Sequence, residues 1–162
     1  MEDSSSILLD GRSECREAAR ALILAAGNRV YMATQDLEAE LYNDSEIYDH
    51  LCGLATQNRH ADIRILTHNT RVAANAGHYL IHLAQRLPSF AQIRVTTTPE
   101  HQNFKESWLM VDDSGYMRIR NPERFEGYYE LENKYECRAY VDDFNEMWEA
   151  SSQDQNTRRL SL

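Results

Sequence analysis

The sequence predicts an α/β domain built on a mixed, mostly parallel sheet with helices on both faces. Three observations carry that expectation. Apolar stripes at helical spacing alternate with short apolar runs of strand length between residues 13 and 97. An acidic turn, Asp112-Asp113-Ser114-Gly115, then joins two further strand-like runs. Finally, a last amphipathic stretch lies near residues 136–150.

Each element has its own signal. From Ser13 to Ala26 the positions Cys15, Ala19, Leu22 and Ala26 recur at helical spacing, with Ala18 and Ile23 beside them and Gly27 placed as a left-handed C-cap. Residues 30–34, VYMAT, read as a strand. Ser45 is positioned to cap a second helix in which Ile47, Leu51, Leu54 and Ala55 share a face. IRILT, residues 63–67, alternates as a strand. A third helix is expected from about Arg71 to Leu87 on the stripe Val72, Ala76, Leu80, Leu83 and Leu87, with Pro88 ending it. Gln92 to Thr97 gives another strand, followed by a turn at Pro99. Ser107–Val111 and Tyr116–Arg120 are the arms of a hairpin, and a short strand covers Phe125–Tyr129. The closing helix, near Glu136–Ala150, places Cys137, Val141, Phe144 and Trp148 on one stripe. Residues 1–6 are expected to be flexible, residues 7–150 to form one domain, and residues 151–162 to be a polar tail in which Leu160 and Leu162 could dock.

At 162 residues and 42% hydrophobic composition the chain can bury one sizeable core. Its net charge of −9 argues against nucleic acid as a general partner, since phosphate neutralisation needs clustered Lys and Arg. Of the three cysteines, Cys15 and Cys137 fall on apolar stripes and read as buried hydrophobes, a usage that suits a reducing cytoplasm. MEDSSSILLDG lacks the basic region and long apolar run of a signal peptide, and no run is long enough for a membrane span. No Gly-rich phosphate loop, nucleophile elbow or HExxH pattern is present, and the acidic turn lacks a calcium-loop ligand pattern. No cofactor or metal is therefore expected.

The segment FKESWLMVDDSG, residues 104–115, resembles the catalytic strand of the phospholipase D-like superfamily. The softer landmarks AAGNR before VYMATQDL, IRILT after a helix, and Phe144 with Trp148 in VDDFNEMWEAS extend the likeness over about residues 8–150. In that superfamily the strand carries His, then Lys two positions on, then Asp five further. Matching Asp112 to the Asp puts Lys105 at the His position and Ser107 at the Lys position. Lys105 cannot take over the chemistry: a protonated amine does not attack phosphorus, and the phosphoramidate intermediate depends on an imidazole leaving group. The Gly-Ser-x-x-Asn segment that follows in active members is also missing, and the chain there reads Ile119 to Glu123. The resemblance is greatest to single-half bacterial proteins with a decayed motif. It implies a catalytically inactive module that binds or regulates, partnered by a second copy or another protein. A residual phosphoester or acyl-transfer enzyme and a nucleic-acid accessory protein are the competing readings.

Other residues offer candidate contacts. Thr34, Gln35 and His68 end strands at what should be one edge, where ligands of open α/β sheets gather. Tyr116, Arg118 and Arg120 alternate onto one strand face and could grip a phosphate-containing ligand or stack on a base. The structural alternative, which the composition favours, is an exposed face paired with Glu106, Glu126 or Glu130. His78 and His82 have metal-ligand spacing, but fall opposite the Leu80/Leu83/Leu87 stripe and read as solvent-facing. His101, four residues before Lys105, reads as a surface-loop histidine.

Overall fold

A computed structural model describes residues 5–155 and 157. In chain order the elements are β1 (Ile7–Asp10), α1 (Arg12–Leu24), β2 (Arg29–Ala33), α2 (Ala39–Tyr42), α3 (Ser45–Gln57), β3 (Asp62–Thr67), α4 (Arg71–Ala76), α5 (Tyr79–Arg86), β4 (Ala91–Val95), α6 (Pro99–Gln102), β5 (Ser107–Val111), β6 (Gly115–Asn121), β7 (Glu126–Glu130), α7 (Lys134–Glu149) and β8 (Ser152–Gln153). The strands form one sheet in the order β1-β7-β6-β5-β2-β3-β4-β8.

The α/β class and the mixed sheet are as the sequence predicts, but the parallel part is smaller. Among the described residues only β2–β3 and β3–β4 pair in parallel; the other pairs are antiparallel. Long helical crossovers are what make neighbouring strands parallel, and between β4 and β5 the chain has only the four-residue α6. There β5 lies antiparallel against β2, and hairpins add β6 and β7.

Strand alternation divides the core in two. Val30 and Met32 point to the face covered by α1, α3 and α5, where Leu22, Leu51, Ile65 and Leu83 are buried. Tyr31 and Ala33 point to the other face, against Phe144 and Trp148 of α7, with Trp108, Met110 and Cys137. Cys15 and Cys137 are free and buried. Strand β5 is buried along its whole length, which fixes it as an interior strand.

Several local expectations change. Helix α1 is capped by Ala25, and Gly27 is not left-handed; its N–H is given to Asp112 instead. Asp44, not Ser45, caps α3, accepting from the N–H groups of Glu46 and Ile47. The single helix expected over 71–87 is broken, because Gly77 adopts φ 88 and His78 opens α5. Val72 and Ala76 therefore leave the stripe, and Val72 is 72% exposed. His78 is buried rather than solvent-facing: its Nδ1 accepts from Leu80 N and its Nε2 donates to Leu37 O. His82 is exposed. Pro99 starts the short helix α6.

The ordered domain also exceeds the expected limits. Ser152–Gln153 pairs with β4, Asp154 and Thr157 are buried, and Thr70 Oγ1 donates to Asp154 Oδ1 at 2.9 Å. At the other end Ser5 Oγ donates to Glu130 Oε1, and Ile7–Asp10 is a strand paired with β7. The flexibility expected of residues 1–4, and the docking expected of Leu160 and Leu162, lie outside the described residues. Among the described residues no helix is long and apolar enough to cross a membrane.

Candidate functional site: a charged cleft beside β2 and β5

Because β2 and β5 are antiparallel neighbours, the C-terminal end of β2 meets the N-terminal end of β5, with Ala33 opposite Trp108. Past β2 the chain turns sharply through Leu37 (φ 71) and Glu38 (φ 26), conformations that side-chain-bearing residues seldom adopt. Hydrogen bonds hold the turn from every side. Thr34 Oγ1 donates to Leu66 O and accepts from Leu37 N, and His78 holds Leu37 O. The Glu38 carboxylate accepts from the N–H groups of Gln35 and Asp36. Gln35 Nε2 reaches across to Phe104 O and Glu106 O, at 3.0 and 2.9 Å, and so ties the turn to the segment that leads into β5.

That geometry separates the matched motif residues. Ser107 is fully buried, and its hydroxyl donates to the Glu38 carboxylate. Burial pushes the Glu38 pKa up, against the pull of Ser107 and the backbone donors. Lys105 is exposed and has no hydrogen bond or ion pair among the described residues. Asp112 lies at the far end of β5, in a hairpin turn whose Asp112 and Asp113 both have positive φ. There its carboxylate accepts from the N–H groups of Gly27, Asn28 and Arg29 at 2.8–2.9 Å. Lys105 and Ser107 therefore share no site with Asp112.

The arginine strand divides as well. Tyr116 is only 2% exposed; it stacks on Tyr140, and its hydroxyl donates to Glu130 at 2.6 Å. Burial and Glu130 together hold the phenol far above its ordinary pKa. Arg118 forms a two-pronged pair with Glu106, at 2.7 and 2.9 Å, and also donates to the Tyr128 and Tyr140 hydroxyls. Burial pushes the Glu106 pKa up, but the hydrogen bonds of Arg118 and Trp108 outweigh it and hold the carboxyl below the usual range. Arg120 differs. It is the extra residue where the β6–β7 register slips between Ile119 and Asn121, a bulge of the kind that redirects a side chain. It faces a cleft of about 660 Å3 that Gln35, Asp36, Glu38 and Lys105 also line, with Pro122 and Phe125.

His68 does not line that cleft. Its Nε2 lies 2.8 Å from Phe104 O, a group that can only accept, so Nε2 donates and Nδ1 accepts from Thr96 Oγ1 at 2.7 Å. Thr34 is buried in the turn, and His101 sits in α6 away from the cleft. Of the candidate contacts, Gln35, Lys105 and Arg120 are brought together. Asp36, Glu38, Glu40, Glu123 and Phe125 also line the cleft, and no local pattern marks them in the sequence. Among the described residues no group of His, Cys, Asp and Glu is arranged to hold a metal ion.

The sheet order and the helical layers are those of a phospholipase D-like fold. Nuc from Salmonella typhimurium, a phospholipase D family member, matches with a TM-score of 0.62 at 12% identity, over 96% of this chain and all of that one. NucT from Helicobacter pylori matches with a TM-score of 0.62 at 14% identity, over 93% of this chain and 99% of its own. TrmBL2, an archaeal chromatin protein with a novel mode of DNA binding, matches with a TM-score of 0.70 at 13% identity over 94% of this chain. The chain spans about half of TrmBL2, 54% of its length. At these identities the likeness is one of fold. The chain belongs to the family described as Domain of unknown function (DUF7931), which spans residues 11–160. No curated protein matches it.

Proposed function

We propose that this chain is a catalytically inactive phospholipase D-like module that binds a small oxyanion-bearing ligand in the cleft of Lys105 and Arg120. One observation carries the reading: among the described residues, the cleft presents two cations without ion-pair partners and no imidazole. Cations of this kind bind phosphate or carboxylate oxygens, and without a nucleophile they do so without turnover. The residual-enzyme reading needs a nucleophile. Ser107 is buried under Glu38, and both nitrogens of His68 are engaged. A nucleic-acid role is favoured by the likeness to TrmBL2, but the arginine track it would use is interrupted where Arg118 pairs with Glu106.

The test pairs an assay with a titration. The purified chain should not hydrolyse bis-p-nitrophenyl phosphate, and calorimetry should show it binding inorganic phosphate. Lys105→Ala combined with Arg120→Ala should remove that binding without lowering the unfolding temperature, because both side chains are exposed. Turnover that His68→Ala abolishes would overturn the inactive reading. Full phosphate affinity in the double variant would overturn the site.

A further inference from the structure

The cleft that holds the two cations is also strongly acidic. Its lining includes Asp36, Glu38, Glu40 and Glu123 beside Lys105 and Arg120. Arg12 offsets one of these carboxylates, pairing with Glu40 at 2.5 Å, and its guanidinium lies over the Phe125 ring. Asp36 and Glu123 have no ion-pair partner among the described residues, and Glu38 is bound only by Ser107 and backbone N–H groups. The charges come from separate segments. Asp36, Glu38 and Glu40 belong to the turn after β2 and the start of α2, whereas Lys105 lies in the segment that leads into β5 and Arg120 near the end of β6. Pro122 and Phe125 add apolar surface.

A ligand that is purely anionic gains from the cations and loses to the carboxylates that face it, and a polyanion loses most. A ligand that is purely cationic meets the reverse conflict. Both sets of charges are satisfied only by a molecule that carries an oxyanion and an ammonium ion a few atoms apart.

Resting on the reading of Lys105 and Arg120 as an oxyanion site, we infer that the cleft selects a small zwitterion. Its oxyanion lies on Lys105 and Arg120, its ammonium group faces Asp36 and Glu123, and its short linker packs on Phe125. A phosphate and a carboxylate would serve the cationic side alike, so the probes must separate them.

Calorimetric titration of the full chain at fixed ionic strength tests this with O-phosphoethanolamine, 4-aminobutyrate, inorganic phosphate and ethanolamine. At least one zwitterion should bind about tenfold more tightly than inorganic phosphate or ethanolamine, and the better of the two identifies the oxyanion. Asp36→Asn with Glu123→Gln should remove that preference and leave phosphate binding intact or improved. Equal affinity for phosphate and both zwitterions, or a preference that survives loss of the two acids, overturns the zwitterion assignment and leaves the oxyanion site standing. Binding of none of the four probes overturns both.

Discussion

At the scale of single residues, Asp112 shows how a motif position can hold the fold together. Its carboxylate gathers three consecutive backbone N–H groups at the entrance to β2, and its own φ of 54° closes the β5–β6 hairpin. Asp112→Ala strands those donors and puts an alanine in a left-handed conformation. Urea unfolding should show a loss of about 2 kcal/mol. Ligand affinity in the cleft should not change, because the residue sits at the other end of β5. Arg118 teaches the same lesson. Alternation correctly put it on one strand face with Tyr116, and the sequence allowed for a pairing with Glu106, which forms. The sequence could not show that α7 covers this face, since Tyr140 and Tyr116 meet only in the folded chain.

At the scale of elements, the break between α4 and α5 joins the helical layer to the cleft. His78 caps α5 with Nδ1 and holds the strained Leu37 carbonyl with Nε2, and the cap, in which Nδ1 accepts, requires the neutral imidazole. Burial pushes its pKa below the ordinary value, although the Leu37 carbonyl and Asp36 push the other way. Because the folded pKa lies below the unfolded one, the unfolded chain binds the proton more readily. Stability contributed by neutral His78 is complete above the unfolded value of about 6.5 and is lost progressively as pH falls from there through the lower folded value. The thermal midpoint should therefore drop as pH falls below about 6.5, and His78→Asn, which keeps a capping side chain, should flatten that slope. An equal slope in the variant would place the effect elsewhere. The apolar stripe running from Val72 to Leu87 predicted one helix, because hydrophobic period alone is blind to a glycine at positive φ.

At the scale of the whole molecule, the strand after α7 completes the sheet. A chain ending at Ala150 loses β8 and the hydrogen bond from Thr70 to Asp154. With about 2 kcal/mol lost, differential scanning calorimetry should record a midpoint lower by about 4–8 °C. An unchanged midpoint would mean that β8 adds nothing to the fold. The two shortest edge pieces, β1 and β8, escaped the sequence because four and two residues are too few for a period to register. The order of the larger elements was legible because it is written in local spacing: Cys15 to Leu22, Ile47 to Ala55, and Cys137 to Trp148 each declare a buried helical face from within one segment. By itself, the sequence determined the α/β class, the hairpin and the absence of a histidine at the matched position just before β5. Only the tertiary structure decided that β5 lies antiparallel beside β2, and with it that Gln35, Lys105 and Arg120 share a cleft with Asp36, Glu38 and Glu123. The physical reason is distance along the chain: these residues meet through sheet pairing between segments some seventy positions apart, and no local periodicity encodes such a partner.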